Sequence, residues 1–188
     1  VYFDTTTLSG GNPGVVKAFA EFNGGLYIAC GKELMKLNAA GTAFLHLESV
    51  AAAISDLEPF TDNNLYIPCG TATAYRMADT AETVTASTTA VSGFQFMKTV
   101  HSAAPTMWGN DSINTIRSNA VPASSAWSGT TTVGSNSYDI TSLIQKSGAL
   151  YIGKEDMPYY LSSSGAVQND LAPELQTAAS ATSAKNMK

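Results

Sequence analysis

The chain is expected to be all-β and built from repeated four-stranded antiparallel units, and three observations carry that expectation. First, a short apolar phrase recurs. Leu26-Tyr27-Ile28-Ala29-Cys30-Gly31 is nearly copied by Leu65-Tyr66-Ile67-Pro68-Cys69-Gly70, shortened in Leu150-Tyr151-Ile152-Gly153, and echoed weakly by Thr106-Met107-Trp108-Gly109. Second, the copies start at 26, 65, 106 and 150, in steps of 39 (65−26), 41 (106−65) and 44 (150−106). A near-regular period of this size marks a repeat architecture. Third, the stretches between copies are short alternating apolar and polar runs punctuated by Gly, Asn, Asp and Ser, the pattern of strands and tight turns.

Residues 1–13 hold a short apolar start, Val1-Tyr2-Phe3, then Thr5-Thr6-Thr7, before the turn-rich Ser9-Gly10-Gly11-Asn12-Pro13-Gly14. They read as the outer strand of a preceding unit followed by a linker. In the first unit Val16, Ala18, Ala20 and Phe22 fall on one face and Lys17, Phe19 and Glu21 on the other, which is strand period. Asn23-Gly24-Gly25 is a hairpin turn that needs positive φ. Residues 26–30, 34–37 and 43–47 supply the remaining strands. The second unit repeats this with strands at 54–60, 65–69, 74–77 and 82–86, and Thr61-Asp62-Asn63-Asn64 as its hairpin turn.

The third unit diverges. Strands at 94–100, 106–108 and 113–117 are joined by the turn 101–105, and a long loop, 118–125, leads to a fourth strand at 127–133. In the fourth unit, strands at 138–145, 150–152, 157–161 and 166–168 surround the turns Lys146-Ser147-Gly148 and 162–165. After Leu175 the composition turns to Ala, Ser and Thr with Lys185, Asn186 and Lys188. Such a segment has little to bury and is expected to be a flexible tail, 176–188.

A four-stranded meander of about 40–45 residues is the blade of a β-propeller. One blade cannot cover both of its own faces, so blades stack. The expected domain is a propeller or propeller arc over 1–175, with blades at about 14–50, 51–90, 91–137 and 138–175. The alternative is a β-sandwich, which also has short strands at close spacing. The internal copy of Leu-Tyr-Ile favours the propeller. The chain starts at Val1 in strand-like character and without Met, which reads as a processed chain or as a piece of a longer one. Four blades are then either part of a larger ring or a ring closed by residues 1–8 joining the last blade.

Of the 188 residues 44% are hydrophobic, enough for a well-buried core. Only 13% are charged, against roughly 25% in an average domain. This neutral, Gly/Ser/Thr-rich composition suits extracellular or particle-bound proteins. A net charge of −5 with no basic run argues against a nucleic-acid binder. No apolar run reaches the roughly 18 residues that span a bilayer as a helix, so membrane insertion is not expected.

Tyr138-Asp139-Ile140-Thr141-Ser142-Leu143, then Gly148-Ala149-Leu150-Tyr151-Ile152-Gly153-Lys154-Glu155-Asp156 and Pro173-Glu174-Leu175, resembles repeats of propeller-like virion proteins of tailed phages and environmental viruses. The likeness covers about 40 residues, and similar phrases occur in kelch-like and sialidase-like propellers. It implies a structural or adhesive component of a tail or capsid, in a virion or extracellular setting. Its partners would be other virion proteins or a host-surface glycan or protein, and an oligomer is compatible with the sequence. The resemblance carries over no catalytic residue.

The residues themselves offer no catalytic, cofactor or metal set. His46 is expected at a blade's outer edge and His101 in a turn, neither with a placed nucleophile. Gly153-Lys154-Glu155-Asp156 reads as a solvated turn, and sialidase boxes, nucleophile elbows, phosphate loops and zinc motifs are lacking. Asn110-Asp111-Ser112 is a sequon of a kind expected by chance in a Ser/Thr-rich chain. The rival function is a propeller lyase or glycoside hydrolase whose active site lies in further blades. Cys30 and Cys69 occupy matching places in two repeats and point the same way, so they are expected as buried free thiols rather than a disulfide. The expected repeat core is Leu26, Ile28, Leu65, Ile67, Leu150 and Ile152. Trp127, beside the long loop and expected exposed, and Tyr138 are the candidate contacts to a ligand or partner.

Overall fold

The computed structural model describes residues 2–3, 14–70, 72–78, 81–86, 93–123, 126–127, 129–161 and 165–168. The expected tail 176–188, the phrase Pro173-Glu174-Leu175 and most of the 1–13 segment lie outside them. The chain forms two compact units, Val1–Gln95 and Phe96–Lys188, each with two sheets.

In the first unit β1 (Tyr2–Phe3), β2 (Val16–Phe22), β3 (Gly25–Cys30), β4 (Glu33–Leu37) and β5 (Ala43–Ser49) form a sheet of order β1-β5-β4-β3-β2. A second sheet runs in sequence order through β6 (Glu58–Phe60), β7 (Asn64–Ile67), β8 (Tyr75–Ala78) and β9 (Val84–Ala86). Local chemistry sets the hairpins. Asn23 and Gly24, at φ 47° and 71°, close β2 onto β3 with the positive-φ pair that suits right-twisted strands. In the second sheet Asn63 has φ 60°, and the Asp62 carboxylate accepts the Asn64 backbone N–H at 3.1 Å.

The expected outer strand of a preceding unit is corrected here. Tyr2 and Phe3 pair in parallel with Ala43 and Phe44 on the first unit's own outer edge. Phe3 stacks on Phe44 with ring centres 5.9 Å apart, which gives this two-residue strand an apolar anchor.

The two sheets of this unit meet through opposite faces. Tyr27 and Ala29 of β3 join one core with Leu65 and Ile67 of β7. Alternation then turns Ile28 and Cys30 to the other face, where they pack with Met35 and Phe44. Ile28 and Ile67 therefore lie on the same side of their respective sheets, as stacked blades require. Both cysteines are free and buried. Cys30 belongs to the outward cluster and Cys69 to the core between the sheets, so the first sheet itself separates them. Burial raises both thiol pKa values, that of Cys69 to about 11.

In the second unit one sheet runs through β10 (Met97–Val100), β11 (Thr106–Asn110), β12 (Thr115–Asn119) and β13 (Thr131–Thr132). The other runs through β14 (Ile140–Lys146), β15 (Ala149–Lys154), β16 (Pro158–Leu161) and β17 (Val167–Gln168). Val100 and Ile116 pack with Leu143, Leu150 and Ile152, and Trp108 borders the same cluster.

Strand register corrects the phase of the weak repeat. The first residue after each hairpin is Gly25, Asn64, Thr106 and Ala149, paired with Phe22, Phe60, Val100 and Lys146. Met107, not Thr106, is thus the counterpart of Leu26, Leu65 and Leu150. Trp108 stands where the other copies have Tyr, and the steps become 39 (65−26), 42 (107−65) and 43 (150−107).

Several expected bounds also shift. The first strand of the second repeat is Glu58–Phe60 rather than 54–60, and the fourth strand of the third repeat is Thr131–Thr132 rather than 127–133. The repeat core is buried at Ile28, Leu65, Ile67, Leu150 and Ile152, while Leu26 is only half-buried.

The solvated-turn reading of Lys154 is also corrected. It ends β15 and is wholly buried, and its ammonium donates to the carbonyls of Tyr138 at 2.6 Å and Ser135 at 2.9 Å. Desolvation lowers its pKa, opposed by the nearby carboxylates of Asp156, Asp139 and Glu155.

Three outcomes follow from this packing. Ile67→Ala should destabilise the protein by roughly 2–5 kcal/mol in urea unfolding, the usual cost of emptying a core aliphatic site. Alkylation in denaturant without reductant should label two thiols, as free cysteines require. Lys154→Met should cost about 1–3 kcal/mol, because it removes the donor held by the Tyr138 and Ser135 carbonyls.

Candidate functional site

The first unit carries a groove of about 850 Å³, lined among others by Glu21, Leu26, Lys36, Leu45, His46 and Glu82. Strand register sets two of its lining residues, Lys36 and Leu45, beside Tyr27. Tyr27 of β3 pairs with Lys36 of β4, and Lys36 with Leu45 of β5, so the three stand in one row on one face. Lys36 Nζ lies 5.4 Å from the centre of the Tyr27 ring, within cation–π range.

Glu82, between β8 and β9, closes the arrangement. Its Oε1 accepts the Tyr27 hydroxyl at 3.0 Å and a short hydrogen bond from Lys36 Nζ. Glu82 has φ 46°, a left-handed backbone uncommon for a residue with a Cβ. Gly25 leaves room for this cluster. A Cβ there would stand 2.9 Å from Lys36 Cε and 3.0 Å from Tyr27 Cε2.

The three groups hold one another in fixed protonation states. The bond to Glu82 pushes the Lys36 pKa up, and the bond from Lys36 pulls the Glu82 carboxyl down. Burial first, and Glu82 second, push the Tyr27 phenol up. A general acid or base works best with a pKa near the working pH. Each of these shifts runs away from neutrality, which favours a charged Lys36, an ionised Glu82 and a neutral Tyr27 at neutral pH.

Behind the groove, Glu33, His46 and Ser49 form a second cluster. His46 lies on β5, the fourth strand of its repeat as expected, with its side chain 15% exposed and Nε2 3.0 Å from Glu33 Oε2 and 3.1 Å from Ser49 Oγ. Ser49 Oγ makes a further short bond to the same carboxylate oxygen. A Ser–His–acid relay uses both ring nitrogens, one for the acid and one for the hydroxyl. Here a single nitrogen meets both partners, so the triangle satisfies a buried carboxylate and offers no relay.

The other sequence candidates lie elsewhere. Trp127 is 8% exposed, which overturns its expected exposure. The indole carries a large apolar area, and burial is its favoured state even next to a polar loop. Residues 124 and 125 of that loop lie outside the described residues. Tyr138 is exposed, and its carbonyl is held by Lys154. His101 is exposed in its turn. Asn110 is buried and its Oδ1 accepts the Phe96 backbone N–H at 2.7 Å, so the sequon is not presented. Among the described residues no group of three or more His, Cys, Asp or Glu is placed to hold a metal ion.

Sequence reading missed Glu82, Lys36 and Tyr27 as a group. Glu82 is expected to open the strand 82–86, whereas the strand begins at Val84 and leaves Glu82 ahead of it.

No protein-family model matches the chain, and no curated protein matches it. Solved structures do. The extracellular domain of BT4673 from B. thetaiotaomicron aligns at 10% identity with a TM-score of 0.63, over 89% of this chain and 24% of that one. The WD40 repeats of RRP9 align at 8% identity and a TM-score of 0.64, over 82% of this chain and 50% of that one. The chain is a β-propeller. A catalytically inactive virginiamycin B lyase variant from Staphylococcus aureus, solved with quinupristin, aligns at 13% identity and 0.65, over 82% of this chain and 54% of the lyase. The chain thus spans between about a quarter and a half of these propeller structures, and at such identities the likeness concerns the fold.

The propeller's Glu82 gives a pH signature. Its carboxyl pKa is lowered on folding, so its stabilising contribution is complete above the usual carboxylate range and is lost as pH falls through the lowered value. The Lys36–Glu82 pair is about one-third exposed, so the effect is limited to less than about 1 kcal/mol. Urea titrations of wild type and Glu82→Gln should differ near neutral pH and converge in acid.

Proposed function

We propose that this propeller is a non-enzymatic binding module, a structural or adhesive component that contacts a protein or a host-surface glycan. We place it in an extracellular or virion setting, as part of a phage tail or capsid. The observation that carries the reading is the state of the groove: Lys36, Tyr27 and Glu82 hold one another in protonation states unsuited to proton transfer, and His46 is bound to Glu33 and Ser49. Such a site can recognise a ligand but has no group to activate a nucleophile. The virion assignment draws on the likeness of the fourth repeat to propeller-like virion proteins. The extracellular setting draws on the low charge and on the fold shared with an extracellular domain. Exposed Tyr138 is a further contact residue in this reading.

A second reading, a carbohydrate-active lyase or glycoside hydrolase with its active site in further blades, is favoured by the shared fold with a lyase twice as long as the aligned region. One experiment separates the two. The protein is incubated with a polysaccharide panel and followed for released reducing ends and unsaturated products, while adsorption to bacterial surfaces and to phage particles is measured in parallel. Adsorption without product is expected, and turnover of any polysaccharide would overturn the binding-module reading.

A further inference from the structure

We infer, building on the binding-module reading, that the outer edge of β5 takes an extended segment of a partner protein as an added strand, with an apolar side chain laid on Leu45 beside the groove. Two observations set this edge apart. It already holds one added strand: Tyr2 and Phe3 pair in parallel with Ala43 and Phe44, and the Tyr2 N–H donates to the Thr42 carbonyl at 3.1 Å. It is also long. Among the described residues the other three sheets end on strands of three, two and two residues, whereas β5 has seven. A short outer strand is a common way of blunting a sheet edge against pairing, and the first sheet does without it.

Strand register shows which backbone groups face outward. The Asn38 N–H donates to the Ala43 carbonyl at 2.8 Å, so Asn38 and Ala43 are a bonded pair. Bonded and non-bonded pairs alternate along an antiparallel ladder. Lys36–Leu45 is therefore bonded, and Leu37–Phe44 and Met35–His46 are not. Phe44 and His46 thus turn their backbone N–H and carbonyl groups away from β4. The paired part of β1 ends at Phe44. Among the described residues no strand lies beside the outward N–H and carbonyl of His46.

Side chains define the segment. Leu45 and Lys36 are cross-strand neighbours on the face that carries Tyr27, and Lys36 is bonded to Glu82. Lys36, Leu45, Leu47 and Glu82 all border the groove. The two charges balance, so this face selects neither a cation nor an anion. What stands open at the edge is Leu45, 42% exposed. A strand added to β5 places every second side chain on this face, one of them opposite Leu45, and an aliphatic group there covers it. Phe3, stacked on Phe44, does the same one position earlier on the other face. A glycan has no alternating N–H and carbonyl groups with which to continue a ladder, so the edge fits a polypeptide.

The test is NMR titration of the whole chain with the peptide acetyl-Thr-Val-Thr-Val-Thr-amide, read by backbone amide shifts and hydrogen exchange. In the free protein the His46 amide should exchange faster than that of Leu45, which is bonded to Lys36. The peptide should bind saturably and shift the His46 amide. At about 90% occupancy the His46 exchange should slow about tenfold, since only the free fraction exchanges. Two N-methylated peptides probe the ladder, one blocked at the threonines and one at the valines. One of them should bind about tenfold more weakly and the other like the parent, because only one edge of the added strand faces β5. Leu45→Lys should weaken binding several-fold with an unchanged melting temperature, and Leu45→Val, which keeps an aliphatic group, should retain it.

Absence of saturable binding, both N-methylated peptides binding like the parent, or shifts that spare β5 would overturn the inference. A His46 amide already protected in the free protein would also overturn it. Protection independent of protein concentration would give the edge to the chain's own residues, and protection that grows with concentration would give it to a second copy. None of these results depends on polysaccharide turnover or on adsorption to surfaces, so failure of the strand site and failure of the binding-module reading are told apart.

Discussion

Each sheet of this protein is apolar on two faces, and its neighbour in the same unit covers only one of them with the opposite face of its own. In the first unit Tyr27 and Ala29 look towards Leu65 and Ile67, while Ile28, Cys30 and Met35 look away. Strand alternation makes this unavoidable: a strand that packs on both sides must be apolar at successive positions, which is why the recurring phrase is a continuous apolar run. The same constraint separates the two cysteines. Matching positions in stacked sheets share an orientation, so a whole sheet lies between their side chains.

Within that frame the repeated aromatic position is put to different uses. Tyr27 bonds to Glu82, and Tyr66 donates to Asp62 Oδ2 at 2.7 Å to tie down its own hairpin. Trp108 borders the core of the second unit, and Tyr151 lies 6.2 Å from Tyr160 across a strand pair. The repeat supplies a place on the sheet, and the residue opposite decides what that place does. At Tyr27 the opposite residue, Glu82, comes from just before the last strand of the neighbouring sheet, and Glu82 and Lys36 border the groove.

The groove owes its character to the outer strands. Towards the inner strands the rows are apolar and buried, as at Ala18, Ala29 and Leu34. One row further along, the outer positions become Lys36 and exposed Leu45, where the covering sheet thins to its last short strand. The result is a partly wet rim with a salt bridge and an exposed leucine. The buried Glu33–His46–Ser49 triangle behind it fixes the outer hairpin, because a carboxylate withdrawn from water must keep its donors.

The sequence by itself determined the repeat, the all-β class, the propeller, most strand positions and the turn residues. Each of these is written in local periodicity and in residues that tolerate positive φ, such as Asn23 and Gly24. Tertiary structure decided what depends on partners distant along the chain. The phase of the third repeat follows from pairing across a longer hairpin, which shifts the register by one residue. Tyr2 and Phe3 find the edge of β5 because an unpaired edge accepts any strand that reaches it. Lys154 is buried because backbone carbonyls converge where its ammonium ends. Trp127 is drawn under by its apolar area. Glu82 meets Tyr27 and Lys36 across 55 and 46 residues of sequence, a coincidence in space that no spacing along the chain records, because it is made by the stacking of one sheet on the next.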